Sequence, residues 1–223
     1  MSLEYLNEFI INEVKKIWNI KKNNNLILSS IYSLHLIGQD DIIYYNIINY
    51  MTKKKTSNSL GILPCKIKSL ILSVYLILAS YNILFCLPSM SDKLWINNKI
   101  PTHILFGESQ AYLTCLSIQS EAYNQLINIT DDNNIEHIIE IITEGIEQIT
   151  NNSVLLNNFG NNHTKIDITN DYKYITKKLI RVIIQLVLAT LSLPNVPIEK
   201  IDNCMNEIYS DPKNYKLFLD KIL

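Results

Sequence analysis

Few residues of this chain have the types and spacing of a chemical site. His137 and Glu140 stand three apart, a spacing that places two metal-ligating side chains on one helix face. The other histidines, His35, His103 and His163, supply no obvious third ligand, so the pair reads as part of a solvated face. Cys65, Cys86, Cys115 and Cys204 are widely separated and include no CxxC, which fits buried free thiols in a reducing compartment rather than zinc ligands. The doublets Asp40-Asp41 and Asp131-Asp132 each stand where a helix is expected to begin, and carboxylates favour the positive end of the helix dipole. There is no nucleophile elbow, no P-loop and no dinucleotide-binding glycine pattern.

Composition narrows the possibilities further. The 223 residues are 48% hydrophobic and 18% charged, which excludes intrinsic disorder and leaves ample material for a core. Twenty Lys and Arg against 21 Asp and Glu give a formal charge of −1, so no broad basic face for a nucleic acid is expected. Five Gly and six Pro are too few for a fold of many tight turns. Ile and Asn are over-used, which we read as the mark of an AT-rich genome. The sequons at Asn128, Asn151 and Asn162 then need no glycosylation to explain them. Glu4 and Glu8 are unlike a signal or transit peptide, so the expected location is the cytoplasm or an organelle interior.

The elements that must position any site read as helical throughout. Apolar residues at Leu3, Leu6, Phe9, Ile10, Val14 and Ile17 follow the helical period and predict a first helix from Leu3 to Trp18. Further helices are predicted over Leu26 to Gly38, with Gly38 as the stop, and from an Asp40 cap to Met51. Thr52 to Gly61 is the clearest loop. Ser69 to Met90 carries no charge and is long enough to span a bilayer. Its Ser73, Tyr75, Ser80, Tyr81 and Asn82, closed by Pro88, instead suit a buried core helix from Ser69 to Leu87, and no membrane partner is expected. Thr102 to Leu126, Asn134 to Thr150, Asp171 to Ser192, Pro197 to Ser210 and Pro212 to Leu223 follow, with a loop over Asn151 to His163. The expectation is one all-α domain over residues 1–223, with about nine helices and no internal repeat.

The informative segment is Leu87 to Tyr123, LPSMSDKLWINNKIPTHILFGESQAYLTCLSIQSEAY. It resembles the heart of the trans-isoprenyl diphosphate synthases, the farnesyl and geranylgeranyl diphosphate synthase family. Leu87-Pro88 and Met90 match the family's LPxM element, Asp92 one acidic position and His103 its histidine. Phe106-Gly107-Glu108 match FGE, and Ala111, Leu113, Ala122 and Tyr123 suit the helix that follows. Pro101-Thr102 reproduce the PT element one residue displaced. The resemblance implies the all-α isoprenoid synthase fold in a C-terminally shortened form.

The departures fall on the chemistry. In the family an aspartate pair and a further aspartate hold magnesium ions that bridge to the allylic diphosphate, and two arginines bind that diphosphate. Phe85 and Cys86 stand where the aspartate pair would be, Ser91, Lys93 and Leu94 replace other acids, and Ile96 and Asn97 replace the arginines. The AGD turn of the next helix reads Thr114-Cys115-Leu116. The basic GKRxRP element has its nearest counterpart in Gly38-Gln39-Asp40-Asp41-Ile42-Ile43, which is acidic, and Thr176-Lys177-Lys178-Leu179 only loosely echoes a Lys-Thr element. No FQxxDD motif, the family's second magnesium site, occurs through Leu223.

Phe85 and Cys86 bring no oxygen to a hard cation, and loss of every diphosphate-handling group removes the largest catalytic contribution. The resemblance therefore implies a pseudoenzyme without catalytic residues or metal, with magnesium expected only if residual prenyltransferase activity persists. Such a chain would act as a homodimer or pair with an active prenyl synthase. In the family the helix equivalent to Thr102 to Leu126 lies near the subunit interface, and here it presents Ile104, Leu105, Tyr112, Leu116 and Tyr123, with Glu108 and Glu121 as its charges. The alternatives are an unrelated helical interaction protein, soluble or membrane-attached, and a residual prenyltransferase. They are separated by geometry: the relationship requires Phe85 and Cys86 to end a buried helix that packs beside the helix after Thr102.

Overall fold

A computed structural model describes residues 3–18, 25–38, 41–55, 65–129, 135–159, 168–193 and 196–223. Among them are ten α-helices and no β-strand. They are α1 (Leu3–Ile17), α2 (Asn25–Leu34), α3 (Ile42–Lys55), α4 (Cys65–Cys86), α5 (Thr102–Phe106), α6 (Glu108–Ile127), α7 (Ile135–Phe159), α8 (Ile168–Thr190), α9 (Ile198–Ser210) and α10 (Tyr215–Leu219). The chain divides into two compact units, residues 1–42 with 68–128, and residues 43–67 with 129–223.

In the first unit α1 buries Leu6, Ile10 and Val14, one residue per turn, while Tyr5 and Ile17 remain exposed. Glu13 ties this helix to α4 through Lys68 Nζ at 2.8 Å, and also accepts from Lys16 at 2.7 Å. From Leu70 to Ser80, α4 is buried on every side, including Tyr75, Leu76 and Ala79. It is long and apolar enough to cross a membrane, yet 78% of its most apolar window lies inside the structure. Its core serines are satisfied within the helix: Ser73 Oγ donates to Leu70 O at 2.9 Å and Ser80 Oγ to Ile77 O at 2.8 Å. Such back-bonding lets a serine sit in the core without an orphaned polar group.

In the second unit α7, α8 and α9 pack through Ile138, Ile142, Ile183, Val187, Cys204 and Ile208. Gly145 of α7 is pressed against Val182 of α8, where a β-carbon would collide with the valine side chain. Arg181 Nη1 lies 3.3 Å from Asp202 Oδ1 and joins α8 to α9. At the C-terminus Asp220 accepts from Tyr50 Oη at 2.7 Å and pairs with Lys54, fastening the end of α10 to α3.

Several boundaries differ from the sequence expectation. Helix α2 stops at Leu34 rather than Gly38, because Leu36 N and Ile37 N bond three residues back in a tightened turn. Helix α3 continues to Lys55 through the start of the expected loop, and Thr52 is buried with Oγ1 donating to Ile48 O at 2.7 Å. The expected Thr102 to Leu126 helix is broken at Gly107, whose φ of +88 is left-handed, so it becomes α5 and α6. Helix α7 runs on to Phe159 through residues expected to form a loop. The expected caps at Asp40 and at Asp131-Asp132, and His163, lie outside the described residues.

Candidate functional site

The segment singled out by the sequence is a contiguous structural region of the first unit: the end of α4, the connection over residues 87–101, α5 and the start of α6. Helix α4 ends at Cys86, and Leu87 O accepts from both Met90 N (2.9 Å) and Asp92 N (3.0 Å) to close it. Phe85 is half-buried, while Cys86 and Leu87 are buried. Pro88, Met90 and Asp92 are exposed on the turn. Asp92 has a φ of +45, a conformation that short polar residues tolerate. Ser91 Oγ donates to Phe85 O, so the hydroxyl at an expected acidic position is used to terminate the helix.

Ile96 and Asn97, which the resemblance places at an arginine pair, belong to a tight reverse turn. Ile96 N donates to Lys99 O and Lys99 N to Ile96 O, each at 2.9 Å, with Asn97 and Asn98 at φ of +49 and +60. That is the geometry of a two-residue type I′ turn, which favours asparagine at both central positions. The turn is docked on the end of α2. Asn97 Nδ2 donates to Leu36 O at 2.7 Å, and Lys99 Nζ donates to His35 O. A β-carbon at Gly38 would lie 2.5 to 2.7 Å from the Asn97 amide. The side chain where the resemblance puts a diphosphate-binding arginine thus lies over the glycine of the counterpart to the basic loop. Burial, and then Lys99 and Lys15, hold His35 below its usual titration range.

The corner beyond is closed by Asp41. Gly38 N donates to its Oδ2 at 2.8 Å, and Tyr75 Oη of α4 donates to its carbonyl at 2.8 Å. Its buried carboxylate serves the backbone.

Helix α5 buries Thr102 and His103 and leaves Ile104 and Leu105 outside. His103 O accepts Gly107 N at 3.0 Å and ends the helix, while His103 Nδ1 is buried without a hydrogen-bond partner. Phe106 meets the Tyr32 ring edge-on at 5.5 Å. Gly107 O receives Ala111 N at 3.0 Å and opens α6, and Glu108 is exposed in the first turn at the positive end of the helix dipole.

Hydroxyl pairs invisible to motif reading hold these helices together. Ser33 Oγ meets Thr102 Oγ1 at 2.8 Å, and Ser29 Oγ meets Thr114 Oγ1 at 2.6 Å, joining α2 to α5 and α6. Tyr32 Oη donates to Ile100 O at 2.7 Å. Cys115 Sγ contacts Ser80 O at 3.5 Å and sets α6 beside α4. The geometric requirement stated above is therefore met: Phe85 and Cys86 end a buried helix lying alongside the one after Thr102. The only sequence signal for the hydroxyl pairs is the i, i+4 placement of Ser29 and Ser33 on one face of α2. One expectation is corrected. Glu121 is not on the outer face of α6 but buried, accepting from Trp18 Nε1 at 3.3 Å and Gln125 Nε2 at 2.8 Å.

These groups do not fit magnesium, which demands several oxygen ligands in near-octahedral array. Phe85 has none, and burial pushes the Cys86 thiol up to about 11, so it stays protonated. Ser91 Oγ is engaged with the Phe85 carbonyl, and Asp92 is a single carboxylate. Among the described residues no three His, Cys, Asp or Glu side chains are grouped to hold a metal, His137 and Glu140 included.

No family model and no curated protein matches this sequence. Solved structures do. An isoprenoid synthase family member from Thermotoga neapolitana aligns with a TM-score of 0.69 and 15% identity, over 97% of this chain and 81% of that chain. A geranyltranstransferase from Thermotoga maritima gives 0.70 and 16% identity, over 95% of this chain and 78% of that chain. An FPP/GFPP synthase from Zymomonas mobilis gives 0.73 and 12% identity, over 92% and 75%. With its buried α4 ending at the LPSM turn and α6 beside it, this chain has the all-α fold of the trans-isoprenyl diphosphate synthases.

Proposed function

We propose that this isoprenoid-synthase-like protein does not transfer prenyl groups and acts as a non-catalytic subunit, pairing with itself or with an active prenyl diphosphate synthase. The observation that carries the first half is the use made of the motif positions. Phe85 and Cys86 close a helix, Ser91 caps it, and Asn97 is spent on the Leu36 carbonyl. Bidentate recognition of a diphosphate favours arginine, and Arg181, the single arginine of the sequence, is paired with Asp202. Ionisation of an allylic diphosphate without metal or guanidinium support would be slower by many orders of magnitude.

The second half rests on α6. Its inner face buries Ala111, Cys115, Ile118 and Ala122, yet Tyr112, Leu113, Leu116, Tyr123 and Ile127 stand exposed on the other side, continued by Ile104 and Leu105 of α5. A helix apolar on both faces needs cover on both. Seven such side chains, each roughly half exposed, offer on the order of 700 Å² per partner, near the size of a standard interface. Free thiols at Cys86, Cys115 and Cys204 suit a reducing compartment.

The purified chain should make no product from isopentenyl diphosphate and an allylic diphosphate in magnesium buffer. Chelator-sensitive turnover would overturn the inactive assignment. Light scattering should report a dimer, or co-purification from the native cell a prenyl synthase, and Leu116→Glu should abolish either association. A monomer that recovers no synthase would remove the subunit role.

A further inference from the structure

Helix α6 turns one face to the core and leaves the other open, and the open face has an order of its own. Leu113, Leu116, Ser120, Tyr123 and Ile127 are all exposed and recur at intervals of three and four residues. That spacing is the seam by which one helix packs lengthwise against another. Counted from Ser120, apolar side chains stand seven and four residues before it and three and seven after it. Reversing the direction of the helix therefore leaves the pattern almost unchanged. From Ser109 to Asn128 the one charged residue is Glu121, and it is buried with Trp18 and Gln125 as its donors.

Such reversal symmetry decides between partners. A two-fold dimer brings the same patch of both copies together, so the patch must be complementary to itself run backwards. A different chain imposes no such condition and is commonly selected by charge, of which this face has none. Charge also sets the direction. Two parallel copies would bring Glu108 beside Glu108, whereas antiparallel packing separates the two carboxylates and opposes the two helix dipoles.

We infer that α6 is the self-association surface of this chain, two copies packing antiparallel about a two-fold axis at Ser120. The inference rests on the subunit role proposed above and names its partner as a second copy. Leu113 then lies against Ile127 of the second copy and Leu116 against Tyr123 of the second copy, while Ser120 meets its own counterpart. The small serine at the axis lets the helices approach to the usual separation of roughly 8–10 Å. With on the order of 700 Å² on each copy, the pair buries about 1,400 Å² in total, inside the roughly 1,200–2,000 Å² of stable complexes.

The test is disulfide trapping of the full chain in a Cys65→Ser background, whose remaining native thiols are buried. Ser120→Cys should cross-link on mild oxidation, because facing backbones at roughly 8–10 Å between helix axes lie within reach of a disulfide. Ser109→Cys, about 16 Å along the helix from the axis, would sit about 33 Å from its counterpart and should not. At least tenfold more covalent dimer is expected from Ser120→Cys than from Ser109→Cys. Adding Leu116→Glu to the Ser120→Cys chain should reduce the yield to the Ser109→Cys level. Equal cross-linking at both positions would overturn the antiparallel pairing. So would a dimer by light scattering that Ser120→Cys fails to trap, a result that leaves the subunit role standing. A monomer that recovers an active prenyl synthase from the native cell would overturn self-pairing and keep that role; a monomer that recovers none would remove both.

Discussion

Replacing Gly38 by alanine tests whether position 97 serves structure rather than diphosphate. The φ of Gly38 is not left-handed, so the glycine is required for space and not for conformation. The new methyl would lie 2.5 Å from Asn97 Nδ2 and 2.7 Å from Oδ1. The asparagine amide can swing aside only by releasing Leu36 O, whose residue is 1% exposed. An unsatisfied buried acceptor costs about 1–3 kcal/mol, offset by about 0.4–1 kcal/mol from the stiffer unfolded chain. The net expectation for Gly38→Ala is about 1–2 kcal/mol of lost stability, read as a lower urea midpoint at unchanged slope. Asn97→Gly keeps the positive φ of the turn but removes the amide, so alone it should cost about 1 kcal/mol. Once the amide is gone the methyl meets no obstacle, and the double variant should be more stable than the sum of the single losses by about 1 kcal/mol. Additive losses, or a Gly38→Ala protein as stable as the parent, would refute the contact and with it the structural use of position 97.

Cys86→Asp buries a carboxylate that the charge of nearby Lys93 offsets in part, and should cost about 3 kcal/mol in a melting experiment without gaining any magnesium-dependent stabilisation. Phe85→Asp combined with Cys86→Asp should not restore prenyl transfer, because Ile96 and Asn97 remain in a turn; product formation by that variant would contradict this. In the folded protein at pH 8, a thiol reagent should label exposed Cys65 alone, since burial pushes Cys86 and Cys115 up to about 11 and Cys204 up to about 12. Because those folded values lie above the ordinary 9.0, the associated stability is complete below pH 9 and is lost as pH rises toward 11 and 12, which a urea series against pH would follow. Lys54, then Tyr50, hold Asp220 below its ordinary 3.8, so Asp220→Asn should destabilise at pH 7 and cease to matter as pH falls below 4.

Much of the architecture was legible in the sequence because helical periodicity is a local property. The uncharged run through Ser73 and Ser80 has no polar face, which is enough to predict that α4 is buried. The spacing of Leu87-Pro88, Met90 and Phe106-Gly107-Glu108 was enough to suggest the fold, although identity to the solved structures is only 12 to 16%. Helix ends were less legible, because they depend on which backbone groups find partners. Gly107 reads as one residue of a long helix, and only its left-handed φ separates α5 from α6.

What the sequence by itself determined is therefore the all-α class, the central apolar helix and the absence of oxygen ligands at Phe85 and Cys86. Each follows from residue type at a position, and chemistry of that kind does not depend on neighbours. What only the tertiary structure decided is how the polar side chains of this segment and its neighbours are employed. Asn97 reaches a carbonyl 61 residues away, Ser29 a hydroxyl 85 residues away, and Glu121 turns inward to a tryptophan 103 residues away. No local pattern encodes such pairings, because a buried polar group is satisfied by whichever partner the packed helices bring within about 3 Å.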